Sequence, residues 1–255
     1  MSGSVLGSVS RLGAWEQAHW SLTLYPAAGE AGGCFVSARP RSGGVGRRGA
    51  AADPERARAE AVRRARGKVR RYCAANGLNR LGTLTYGPPF CTDLSVLKAD
   101  VAVFFRSLRD GLGGGSFPYL WVPELHADGR RFHVHFAAGR FIKRGLIESA
   151  WGHGFVHIKL LGNLPVGSGS WGEARLAARY LSKYVGKAFE DVETFGRHRY
   201  EVGQGFQPRA QIVRGRSRHE VVASASEVMG ARPSRLWTSD EVEDWKAPPS
   251  LWVEW

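Results

Sequence analysis

The chain has 255 residues, with 36 Lys+Arg against 23 Asp+Glu, a formal net charge of +13 and a pI near 10.2. Hydrophobic residues at 43% and nine Trp exclude a wholly disordered chain, and no apolar run approaches the roughly 18 residues of a bilayer span. Cys34, Cys73 and Cys91 are scattered, with no Cys-x-x-Cys pair, which argues against a disulfide framework or a thiolate zinc site. The opening residues lack the layout of a signal peptide, so a cytoplasmic location is expected, and the positive excess points to nucleic acid as partner.

In chain order, His19 to Tyr25 and Cys34 to Ala38 read as short strands, and the Gly/Arg-rich stretch from Arg39 to Ala52 reads as a flexible linker. Residues 1–52 are therefore expected to be an N-terminal extension. Asp53-Pro54 predicts a helix start, Asp as N-cap and Pro in the first turn, and Asn76-Gly77 predicts its end. Val62, Ala65, Val69 and Tyr72 make a narrow apolar stripe on that helix, and Arg56, Arg58, Arg63, Arg64, Arg66, Lys68, Arg70 and Arg71 cover the rest. An α/β alternation follows as one domain, residues 53–215. Its predicted parts are a strand Arg80 to Tyr86, a helix from Leu94 to Gly111, strands Phe117 to Leu125 and Arg131 to Ala138, and a short helix about Ile142 to Trp151. A strand Gly154 to Leu161 comes next, and Ser170-x-x-Glu173 reads as a capping box opening a helix to about Phe189. Beyond Gly196 the chain reads as β-like and irregular, and residues 216–255 as a Trp-rich tail.

Two constellations carry chemistry. In a strand, residues two apart share a face, so His133 and His135 present two imidazoles together while Val134 points the other way. An Asp128-Gly129 turn between Ala127 and Arg130 makes the two strands a hairpin in which Glu124 lies opposite His133 and Val122 opposite His135. Glu124, His133 and His135 then converge on one patch. Two neutral imidazoles and a carboxylate, with positions left open, suit a catalytic divalent cation such as Mn²⁺ or Mg²⁺ better than a closed zinc site. His126 is a substitute ligand in another register, and a solvated polar sheet face is the bland alternative. Phe132, Val134 and Phe136, on the opposite face, are expected to pack on helices. His153 and His157 read as structural or phosphate-contacting residues rather than ligands.

The second constellation is Tyr180-Leu-Ser-Lys183-Tyr184-Val-Gly-Lys187. At about 100° per residue, with Tyr180 at zero, Tyr184 falls near 40°, Lys187 near 340° and Lys183 near 300°, so phenols and ammoniums share an arc. Ala177, Ala178, Leu181, Val185 and Ala188 fill the adjoining arc and suffice to dock the helix. A phenol beside lysines suits attack on a phosphodiester, because positive charge favours the phenolate and the charge developing on phosphate. The alternative is tyrosines that merely cover the sheet.

Thr83-Leu84-Thr85-Tyr86, then Glu124 with His133-Val134-His135, then the two-tyrosine segment resemble, in that order, the three motifs of rolling-circle replication initiators of the HUH endonuclease superfamily. The double tyrosine is most similar to the phage gene A-like class. The resemblance covers roughly Leu81 to Lys187 and implies an α+β fold, a central antiparallel sheet flanked by helices, related to ferredoxin-like and RNA-recognition-motif topology. It implies metal-dependent nicking of single-stranded or hairpin origin DNA, with Glu124, His133 and His135 holding the cation. Tyr184 would take the 5′ phosphate, Tyr180 would serve a second transesterification, and Lys187 and Lys183 would stabilise phosphate charge. Thr83 and Thr85 match the first motif, whose implied role is placement of the strand. No Gly-x-x-x-x-Gly-Lys-Ser/Thr loop is present, so a separate helicase and the host DNA polymerase are implied partners. Transposases and relaxases share these motifs. The competing classes are a non-catalytic single-stranded nucleic-acid-binding module and a hydrolase that uses water as its nucleophile.

Overall fold

Turn and cap chemistry delimits most elements of the computed structural model, which describes residues 17–38, 53–160, 169–190 and 199–255. The first helix, α1 (Pro54–Ala75), starts where the Asp53 carboxylate accepts from the Arg56 backbone N–H at 2.9 Å. It stops at Asn76, followed by Gly77 at φ +58°. Helix α2 (Leu94–Gly111) begins at Asp93, whose side chain accepts from Ser95 N at 2.6 Å. Helix α3 (Arg144–Trp151) ends on Gly152 in the left-handed region, and α4 spans Gly169–Glu190. The linker stretch 39–52 and the Ser170 side chain expected to cap α4 lie outside the described residues.

The described residues form two units. One, made of residues 25–30 and 53–210, contains β3 (Arg80–Tyr86), β4 (Tyr119–Leu125), β5 (Phe132–Ala138), β6 (Gly154–Leu160) and β7 (Glu201–Val202) in an antiparallel sheet of order β6-β3-β5-β4-β7. Apolar side chains cover both faces of this sheet. On one face Leu84, Trp121, Phe132, Val134 and Phe136 pack with Phe104 of α2 and Trp151 of α3. On the other, Leu81, Leu120, Val122 and Ala137 pack with Val69 and Tyr72 of α1 and Ala177, Leu181 and Val185 of α4. The expected α+β fold, an antiparallel sheet flanked by helices, is the observed one. Six of the eight cations on α1 are exposed, while Arg70 and Arg71 bind the buried Glu30 carboxylate at 2.6 and 3.2 Å.

The other unit divides the chain differently from the expected extension and tail. Described residues before 25, residues 31–38 and the chain from 211 onward join in a second five-stranded sheet, ordered β8-β1-β2-β10-β9. Its strands are β1 (His19–Tyr25), β2 (Glu30–Val36), β8 (Gln211–Gly215), β9 (Arg235–Thr238) and β10 (Ser250–Glu254). Helix α5 (Arg218–Met229) lies in the stretch expected to be irregular, because only Val221 and Ala225 of it are buried and they make a weak apolar stripe. Ser217 and Glu220 mark its start: Ser217 Oγ accepts from Glu220 N at 3.1 Å, and Glu220 Oε2 from Arg216 N at 2.8 Å. Among the described residues no helix is long and apolar enough to cross a membrane.

Candidate metal and tyrosine centre

The β4–β5 hairpin has the register that its turn predicts, Glu124 paired with His133 and Val122 with His135. The Asp128 carboxylate fastens the turn, accepting from the backbone N–H groups of Arg130 and Arg131 at 3.0 and 3.1 Å and from the Arg131 guanidinium. Period-two alternation then puts Phe132, Val134 and Phe136 in the α2/α3 core and aims Glu124, His133 and His135 at the α4 side.

Glu124 Oε2 lies 2.9 Å from His133 Nε2 and 2.7 Å from His135 Nε2, and the two ring nitrogens are 3.0 Å apart. Burial depresses the pKa of both imidazoles, His133 to about 4 with the neighbouring His135 adding to the effect, so both are neutral at neutral pH. Burial raises the pKa of Glu124, but hydrogen bonds from Lys187 and His135 outweigh it and keep the carboxyl below its usual range. Two neutral imidazoles and an ionised carboxylate that converge in this way fit a divalent cation. The buried Nδ1 of His133 has no hydrogen-bond partner among the described residues, whereas His135 Nδ1 lies 3.1 Å from the Thr83 hydroxyl on β3. Thr83 thus orients a ring that sequence reasoning linked to it only by motif order. His126 stands outside the group, its ring 4.4 Å from that of His133.

Helix α4 brings both phenols to this patch. The Tyr184 ring stacks on His135 with centroids 3.8 Å apart at 16°, Tyr180 meets His135 edge-on at 6.0 Å, and the Tyr184 hydroxyl donates to that of Tyr180 at 2.9 Å. Leu181 and Val185, on the adjoining arc, are fully buried and dock the helix. The two lysines of this arc differ in their contacts. Lys187 Nζ sits 2.6 Å from Glu124 Oε1 and 5.5 Å from the Tyr184 ring centre, so the carboxylate neutralises much of its charge. Lys183 is exposed and makes no ion pair with Glu124. Burial first, then the Tyr180 hydrogen bond, hold the Tyr184 phenol well above the ordinary tyrosine range rather than favouring a phenolate. His153 packs against Tyr86 and Trp151, 3.7 Å from Asp100, and His157 is exposed on β6; neither joins the group.

Residues 79–189, which carry β3 through α4, match the family model for replication-associated proteins of the ORF2 and gene II protein type. No curated protein and no solved structure matches the chain.

Proposed function

We propose that this protein nicks one strand of origin DNA and rejoins it through tyrosine, a reading supported by the match of residues 79–189 to the family model for replication-associated proteins. The observation that carries the reading is the stacking of Tyr184 on His135, 3.8 Å between rings, which sets a phenol beside the group fitted for a cation. A cation held by Glu124, His133 and His135, Mn²⁺ or Mg²⁺, supplies Lewis acidity toward the scissile phosphate.

The chain's own groups do the rest. Tyr184 Oη forms a bond to phosphorus as the bond from phosphorus to the 3′ oxygen breaks. The phenol loses its proton and the departing 3′ oxygen gains one, so a 5′ phosphotyrosine and a free 3′ hydroxyl result. In the resting site the Tyr180 hydroxyl accepts a hydrogen bond from the Tyr184 hydroxyl at 2.9 Å. It serves as nucleophile in the second transesterification that closes the displaced circle. Lys187 bridges the site, its ammonium on Glu124 and within reach of negative charge near Tyr184. The phosphoester energy is retained in the tyrosyl linkage, and unwinding and synthesis fall to a separate helicase and the host polymerase.

The test is incubation with single-stranded origin DNA and Mn²⁺, with a chelator control, read on a denaturing gel. A protein–DNA adduct lost with chelator and in Tyr184→Phe is the expected result. Cleavage without an adduct assigns the site to a water-dependent hydrolase. Binding with neither cleavage nor adduct, across several metals, assigns it to a binding module.

A further inference from the structure

Helices α1 and α4 cover only part of their side of the sheet. Beyond β5, on the same face as the histidines, β3 presents the half-buried Thr83 and Thr85, and the edge strand β6 presents Phe155, His157 and Lys159, all exposed. The paired registers align these residues in rows across four strands. Glu124 pairs with His133, His133 with Thr85 and Thr85 with Phe155; in the next row Val122, His135, Thr83 and His157 follow one another. With strands about 4.8 Å apart, Phe155 stands about 10 Å from His133 along a direct row.

Phe155 is 71% exposed, the most exposed large apolar side chain among the described residues. Its neighbour Val156 is buried in the α2/α3 core, so alternation alone sets the outward direction of Phe155, and a small polar residue would satisfy that position. The strand beneath it is held firmly. Gly154 has φ +148°, and a Cβ there would lie 2.2 Å from Gly87 N, so the two backbones touch; Gly87 N donates to His153 O at 2.8 Å, and the Trp151 indole donates to Thr85 O at 3.2 Å. The side chains of β6 include no carboxylate, and Lys159 adds a cation to a chain of net charge +13.

We propose that β6 is the platform for the single-stranded DNA that leads into the nicking site, with a base stacked on Phe155 and the backbone phosphates drawn to Lys159 and His157. An exposed ring on a rigid strand with a cation beside it is the combination that binds single strands without reading sequence. This inference rests on the nicking reading for the direction of the strand, but its test does not depend on cleavage.

The test measures anisotropy of a labelled oligothymidylate in chelator, with adduct formation on origin DNA assayed in parallel. Phe155→Ala weakens binding about 5- to 150-fold, the range of one lost base stack, and Phe155→Trp retains it. Lys159→Ala lowers the slope of log K against log salt by about 0.7. In cleavage, Phe155→Ala raises KM with kcat nearly unchanged. Phe155 is exposed, so the variant keeps the fold, checked by circular dichroism. Wild-type binding and adduct formation with Phe155→Ala equal to wild type in both overturns the platform. Loss of binding in Phe155→Ala while the wild-type protein forms no adduct leaves the platform standing and removes the nicking reading. A dimer that Phe155→Ala dissolves in sedimentation, with DNA binding intact, gives the strip to a second copy of the chain and likewise overturns the proposal.

Discussion

The Thr83 hydroxyl lies 3.1 Å from Nδ1 of His135, and that one contact ties the first motif of the chain to the second. In this structure the neutral ring gives its one N–H, at Nε2, to the Glu124 carboxylate, and the Thr83 hydroxyl faces Nδ1 and fixes the ring's rotation; a cation on Nε2 would leave the proton on Nδ1, to be donated to the Thr83 oxygen. Thr83→Val keeps the shape and removes the acceptor. Outer partners of metal-bound histidines are worth about 10- to 100-fold in affinity, and a Mn²⁺ titration by calorimetry is expected to show a loss in that range. Unchanged affinity would remove Thr83 from the site.

Metal binding should register as stability before any DNA is added. A ligand at about 100 times its Kd stabilises the native state by about 2.7 kcal/mol, so Mn²⁺ is expected to raise the melting temperature and a chelator to reverse the rise. Glu124→Gln, which keeps size but loses the charge facing both imidazoles, should show little of this shift. A full shift in that variant would place the ion elsewhere.

Lys187 is expected to act on the reaction more than on the cation. Its ammonium engages Oε1 of Glu124, while the histidines face Oε2. Lys187→Met should therefore leave Mn²⁺ affinity near that of wild type and lower the rate of adduct formation about 100-fold, the scale of one lost charge-stabilising donor. Equal losses in affinity and rate would instead make Lys187 a support for the carboxylate.

The hairpin turn carries a pH signature. Hydrogen bonds from the Arg130 and Arg131 backbone, then the Arg131 guanidinium, hold the Asp128 carboxyl well below the usual range. A depressed folded pKa contributes stability that is present above the unfolded pKa, about 3.9, and lost as pH falls through the folded one. Asp128→Asn should thus be less stable than wild type at neutral pH, and the gap should narrow below about pH 4 in denaturant titrations. A gap constant from pH 7 to pH 2 would show that the turn does not depend on this charge.

Gly82, in the middle of β3, tests the packing beneath the site. A Cβ at this position would lie 2.2 Å from the Phe136 ring. Gly82→Ala is expected to cost about 1–3 kcal/mol through overpacking, and Phe136→Leu in the same chain should recover part of it in a double-mutant cycle. Additive effects of the two changes would mean that the ring does not occupy that space.

Local chemistry determined much of this molecule from the sequence alone. Asp53-Pro54 and Asn76-Gly77 bounded α1, and the Asp128-Gly129 turn set the register that pairs Glu124 with His133, because a short turn leaves the hairpin little freedom. The four-residue spacing of Tyr180 and Tyr184 put both phenols on one side of α4 for the same local reason. Tertiary structure decided what depends on distant pairing. The capping signal at Ser217 aside, nothing local announced that the residues from 211 onward form a sheet with β1 and β2, since Trp20 meets Gly215 only after the chain between them has folded back. Likewise, the order β6-β3-β5 is what sets Thr83 against His135 and carries the row onward to Phe155, and the burial that keeps Tyr184 protonated, against the pull expected of its lysines, comes from docking α4 on the sheet. Periodicity tells which face a side chain takes; which neighbours share that face is settled only when the strands assemble.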